Sequence, residues 1–182
     1  MNQSTWQAVL QLSEKVHQAN HELIHIWQSE MLFRWEWWVE AAISVVPWIL
    51  WAFYRKREST SRLVHAGIWV IVMCSWLDFL GVCLGLWVYP MKLIPTIPSF
   101  VAYDFTLVPV VIMTLLQYRP QWSPLLKACI FAAATSFLGE PLFIWLKMYE
   151  PIHWKHIYSF PIYAVIYLIA HLVSRAKTYD PL

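Results

Sequence analysis

Glycine and charge are both scarce in this chain. Only 4 glycines occur among 182 residues, and charged residues make up 13%, about half the share usual in a soluble domain. So little charge excludes an ordinary water-facing surface. A net charge of +2, with no basic domain, excludes nucleic-acid binding. The 3 cysteines, Cys74, Cys83 and Cys129, lie inside apolar runs, where they act as small hydrophobes and imply no disulfide framework. No phosphate-cradling glycine loop, HExxH or paired CxxC is present, so no cofactor is implied.

What fills the chain instead is apolar. Hydrophobic residues reach 59%, with 13 tryptophans, and the mean hydropathy is +0.49. A single soluble core of this size cannot hide so much apolar surface, and several stretches attain the ~20 residues that cross a bilayer as a helix. Only closed helices or barrels satisfy their own backbone in lipid. The expected fold is therefore all-α: an integral membrane bundle of five transmembrane helices, over about 35–54, 65–88, 98–118, 125–147 and 156–174, forming a domain at 34–182. Short connections rich in charge or proline separate the spans: RKRESTSR, YPMKLIPTIP, RPQWSP and MYEPIHWK. Tryptophans near span ends, Trp35, Trp37, Trp38, Trp51, Trp87, Trp145 and Trp154, fit the interfacial aromatic belt.

Lysine and arginine set the orientation. Arg55, Lys56, Arg57, Arg62, Arg119, Lys127, Arg175 and Lys177 fall on one side, and Lys15, Arg34, Lys92, Lys147 and Lys155 on the other, 8 against 5 of the 13. The richer side is expected to be cytoplasmic, with the N-terminus outside and the C-terminus inside. Membrane lipids are then the first partners, with some anionic lipid contact at Arg55 to Arg57.

Residues 1–33 lack the basic start and apolar run of a signal peptide. Val9, Val16 and Leu23 recur at heptad spacing beside Leu12, Ala19 and Ile26, which predicts an amphipathic helix lying on the membrane, on a partner, or on its own bundle. His17, His21 and His25 recur every four residues near Glu22, a spacing at which helix neighbours can share a metal ion. They fall opposite the apolar stripe, however, and a solvated polar face explains them, so no metal site is expected.

The acids carry the functional question. Glu36 and Glu40 lie in the first turns of the first span, and Asp78, Asp104 and Glu140 lie ~9–15 Å inside the second, third and fourth, counted at the helical rise. All approach one membrane face. A charge at such depth is costly unless paired, neutralised or hydrated, which points these five side chains toward one another and toward water. Gly81 and Gly85 form a GxxxG spacing beside Asp78 that permits close helix approach, and Ser136, Glu140 and Lys147 share a face. Pro47, Pro109, Pro141 and Pro161 interrupt four of the spans, each freeing the carbonyl four residues earlier; Phe105 and Phe137 are freed next to Asp104 and Glu140. The combination predicts the wall of a polar, outward-opening pocket. The plainer alternative is local pairing of the acids with Arg34, Lys92, Lys147 or Lys155.

Around these residues the chain resembles a family of small multi-span membrane proteins from Firmicutes, including spore formers. The similar features are Tyr89-Pro90, Ser99-Phe100, Tyr103-Asp104, Pro109, Tyr118-Arg119-Pro120, Glu140, and Tyr149 with Trp154, across roughly 76–175. Family members often carry a glutamate where Asp104 falls. The resemblance implies a bacterial cytoplasmic membrane and no established reaction.

Three classes of function fit. One is a non-enzymatic membrane component or scaffold, meeting a protein partner or a second copy through the N-terminal helix or the Gly81/Gly85 face. Another is cation or proton binding or transport by the acid cluster, which with five spans requires oligomerisation. The third is an intramembrane enzyme acting on a lipid or isoprenoid, with Asp or Glu as general acid and aromatic faces steadying a cationic intermediate. For the histidine run, a peptide of residues 1–33 titrated with zinc is expected to give no heat of binding; a saturable signal overturns the solvated-face reading.

Overall fold

The computed structural model describes residues 2–176. It is mostly helical, and four helices among the described residues are long and apolar enough to span a membrane: Trp35–Tyr54, Arg57–Cys83, Pro124–Trp145 and His156–Ser174. The N-terminal helix α1 (Gln3–Ile26) precedes them. Its start is capped by the Asn2 side chain, which accepts from the Ser4 and Thr5 amides at 2.7 and 3.4 Å; this replaces two of the backbone partners a helix start lacks. None of its residues is buried, and Trp6, Val9, Leu12 and Val16 stay exposed, so the apolar stripe does not dock on the bundle. The chain continues through a π turn, Trp27–Met31, where the Trp27 indole donates to the Lys92 carbonyl at 2.7 Å.

Helix α2 (Trp35–Tyr54) and helix α7 (His156–Ser174) occupy the expected first and last spans. The second span differs. Helix α3 (Thr60–Cys83) begins earlier than 65 and stops before 88. Its end is a Schellman turn: Gly85 N–H donates to Val82 at 3.0 Å and Leu86 N–H to Gly81 at 2.9 Å. Gly85 sits at φ +68°, a conformation glycine adopts without steric cost. The chain then reverses into strand β1 (Trp87–Val88). Asp78 thus lies about 8 Å from the helix end. The GxxxG expectation is corrected with it: Gly85 is past the helix, and the gap at Gly81 is filled by the Trp87 ring, which a Cβ there would overlap.

The third expected span is short. A π-helical segment, Tyr103–Leu107, leads into helix α4 (Val108–Gln117), and this Tyr103–Gln117 unit rises ~22 Å, less than the ~30 Å hydrocarbon core. The preceding stretch is irregular but folded inward, with Ser99 and Phe100 buried; such backbone is tolerated at depth when protein surrounds it. The fourth crossing joins helix α5 (Pro124–Ala134), a second π segment (Thr135–Gly139) and helix α6 (Glu140–Trp145). Both π segments precede a proline closely, Pro109 and Pro141, and the wide turn accommodates the missing N–H. The freed Phe105 carbonyl accepts the Trp48 indole at 3.0 Å. Lys147, expected to share a helix face with Glu140, lies beyond α6 at φ +58°.

Short links make successive crossings antiparallel. The connections 84–100 and 146–155 therefore meet on one side, where β1 pairs antiparallel with strand β2 (Glu150–Pro151), Trp87 opposite Pro151 and Val88 opposite Glu150. This ribbon is the one departure from an all-α fold among the described residues. Arg55, Lys56, Arg57, Arg62, Arg119, Lys127 and Arg175 belong to the opposite side; Lys177 lies outside the described residues. Lys127 is not a free interfacial charge: it donates to the Leu115 and Tyr118 carbonyls at 2.7 and 2.6 Å, satisfying the end of α4. The core joins α3, α4, α5 and α7 through Ala66, Val70, Ile112, Ala128, Phe131, Tyr167 and Ala170.

Gly81 gives the fold its test. Gly81→Ala drives a methyl into the Trp87 ring and is expected to cost about 1–3 kcal/mol, read as a lowered unfolding temperature in lipid nanodiscs. An unchanged transition refutes the packing described.

Candidate functional site

Three of the five acids named from the sequence share a cavity. Asp78 from α3, Asp104 from the first π segment and Glu140 from the start of α6 line it, with Trp87, Tyr89, Phe100, Tyr103, Phe143, Tyr149, Trp154 and Tyr163 among its walls. Each acid is only 5–6% exposed. The centre of a water-sized sphere has about 80 Å³ to move in, several times the ~10–15 Å³ that one water requires.

Asp78 is saturated. Its Oδ1 accepts the Trp87 indole at 2.7 Å and the Tyr89 hydroxyl, and its Oδ2 accepts the Phe100 backbone N–H at 2.9 Å. All three donors come from the 84–100 connection. Burial first, and the Asp78 charge second, push the Tyr89 phenol well above its ordinary range, so this hydroxyl stays a donor. Tyr89 is held by stacking on Phe100, with centroids 5.1 Å apart, and Trp87 by an edge contact with Trp154 at 5.0 Å.

Glu140 is partly compensated. Its Oε2 lies 2.6 Å from His156 Nδ1, at the first residue of α7, and Ser159 also faces it. Ser159 in turn accepts the Trp154 indole at 2.8 Å. Asp104 is the least compensated of the three, with the Phe100 backbone its only favourable polar neighbour among the described residues. It lies against the Asp78 carboxyl, and its Oδ2 is buried with no hydrogen-bond donor. None of the residues lining the cavity is a lysine or arginine.

The other two acids stand apart. Glu36 pairs with Arg34, Nε to Oε2 at 3.3 Å, as local pairing anticipated. Glu40 is 1% exposed and lies against the Leu93 amide and Lys92, turned to the connection rather than the cavity. Burial lowers the Lys92 pKa, while Asp78 and Glu40 act to raise it. Among the described residues Lys147 and Lys155 form no ion pair with these acids, whereas His156, which the sequence pattern does not single out, contacts Glu140. Among the described residues no three His, Cys, Asp or Glu side chains are grouped as metal ligands, and His17, His21 and His25 are exposed.

The aromatic wall of the cavity departs from the expected interfacial belt. Trp87 and Trp154, assigned to the interfacial belt, turn inward; Trp35, Trp38 and Trp145 remain exposed as a belt requires. Gly85, a glycine inside the apolar run, was the available signal: a left-handed turn there sends Trp87 and Tyr89 back over Asp78. Removing one of the Asp78 donors tests this account. Tyr89→Phe is expected to destabilise the protein by about 1.5–3 kcal/mol, the range for a hydrogen bond to a charged group, and thermal unfolding that matches the unaltered protein contradicts it. No family model, curated protein or solved structure matches the chain.

Proposed function

We propose that the Asp78–Asp104–Glu140 cluster binds a cation, a proton or a small ammonium ion, and that this binding is the protein's function. The observation that supports it is the Asp104 Oδ2 atom: a buried carboxyl oxygen with no donor, against a second carboxyl, in a cavity without a lysine or arginine wall. Neighbouring carboxylates in low dielectric repel, and a bound cation or proton relieves them. The aromatic faces suit an ammonium ion further, since ring quadrupoles attract cations. Exchange across the membrane follows if the cavity alternates its opening, with more than one copy completing the pathway.

On this reading the protein sits in a bacterial plasma membrane, as the Firmicutes resemblance suggests, with the short Tyr103–Gln117 unit as a fifth crossing. The basic residues then face the cytoplasm and the acids the outside. Helix α1, unburied along its length, favours a second role as a lipid- or partner-docking element that leaves cation binding untouched.

Asp104→Asn separates these roles. The amide it introduces can donate to Asp78, so folding is expected to be kept or improved. Saturable quenching of tryptophan fluorescence by tetramethylammonium is expected to weaken at least about tenfold, the loss of ~1.4 kcal/mol or more. Deleting residues 1–33 is expected to leave that signal intact. Binding that survives D104N sinks the cation site; binding lost only on deletion assigns function to the N-terminal helix.

A further inference from the structure

A second hollow lies on the other side of one wall of the acid cavity. It is a groove of about 710 Å³ on the same measure, bounded by α2, α4 and the α5–α6 crossing. Its lining is almost wholly apolar. Val46, Val111, Ile130 and Leu142 on its sides are 41–50% exposed, so it opens laterally, where lipid chains lie. Proline contributes to its shape: Pro47 in α2 lines it, and the π segments widen the other two crossings.

The two hollows are not independent. Tyr103 and Phe143 line both, packed edge to face with centroids 5.4 Å apart. One side of this partition presents Asp104 and Glu140. The other presents hydrocarbon. An ion with no apolar part uses only the first; a net-anionic bilayer phospholipid is repelled by the acids, and a zwitterionic one would bring its phosphate against them beside its ammonium. The occupant that satisfies both is positively charged at one end and hydrocarbon at the other.

We infer that the protein binds a membrane-soluble alkylammonium amphiphile, its charged head against Asp104 and Asp78 and its chain passing the Tyr103–Phe143 partition into the α2–α4–α5 groove. This rests on the cation reading above and adds the chemical class of ligand. Either ring moves aside by a rotamer change to admit the head, and the chain then holds the place of the displaced ring edge. The route is from the lipid phase rather than from water.

The test uses the full chain in nanodiscs. The probes are tetramethylammonium for the head alone and a dodecyltrimethylammonium bearing a terminal diazirine for head and chain. Ala134→Phe and Ala42→Phe fill the groove from opposite walls, at positions that are themselves exposed, so neither disturbs the core. Expected are tetramethylammonium affinities unchanged in both variants, and dodecyl affinity about tenfold weaker, a difference that membrane partition cannot supply because it is common to all samples. Photolabelling is expected on α2, α4 and α5 groove residues, and lost in D104N. Labelling indifferent to D104N, or dodecyl affinity indifferent to both phenylalanines, means ordinary bilayer lipid in the groove and overturns the inference while leaving the cation site standing. Failure of tetramethylammonium to bind the unaltered protein overturns the ammonium form of the cation site and this inference with it.

Discussion

A carboxylate inside the membrane must be solvated by protein, and the way Asp78 meets that need organises one whole side of this molecule. Its three donors come from a single connection, two from side chains nine and eleven residues on and one from backbone at Phe100. To deliver them the chain must leave its helix at Cys83, reverse within two residues and run back along the helix it left. Gly85 makes the reversal without strain, and Gly81 leaves room for the indole that arrives. The returning segment then pairs with the 146–155 connection. Roof, walls and strand ribbon all follow from one charge, because leaving it unsolvated at this depth costs several kcal/mol.

The two broken crossings solve a different problem. Proline removes a backbone donor, and in lipid no water replaces the partner. Here each break is preceded by a π segment, and the acids sit on these irregularities: Asp104 within the first, Glu140 at the exit of the second. The wider turn shifts the phase of the helix, so side chains that regular spacing would send elsewhere face the cavity. Where a carbonyl is freed at Phe105, Trp48 of α2 supplies the donor, and Thr106 donates to Ser44 beside it at 2.9 Å. The same breaks thereby tie α2 to the bundle, whose main core lies among α3, α4, α5 and α7.

How much of this was legible depends on what hydropathy can register. The bounds of α2 and α7 were readable because charge or a polar connection flanks an unbroken apolar run. The second span was drawn five residues too long because Leu86, Trp87 and Val88 are as apolar as the helix before them, and hydropathy is blind to a reversal at one glycine. The third was drawn too long for the same reason at its other end, where Phe100 is buried without being helical. Counting depth brought Asp78, Asp104 and Glu140 to a common level, and they line one cavity. It gave Glu40 the same standing, yet rotation of α2 about its own axis directs that residue to Leu93 and Lys92, and no single-helix pattern contains that angle. The tryptophans divide likewise: those of the belt and those of the cavity have the same local sequence character, and only long-range folding separates them.

Asp78 and Asp104 make a controlled comparison within one protein. They are the same residue type, equally buried, against each other, in the same cavity. One has a chain donor on each of its oxygens; the other keeps an oxygen with none. Had both carboxyls served only to fasten connections, the economical arrangement would answer both, since donors such as the Tyr103 and Tyr163 hydroxyls belong to the same wall. On the cation reading proposed above, the bare acceptor meets the ion, while its neighbour, with a chain donor on each oxygen, holds the geometry. That division of labour explains why the two acids stand together and not as separate, self-sufficient pairs. The same proposal accounts for the aromatic wall: rings exclude water and would present negative faces to a cation without competing for it as further carboxylates would.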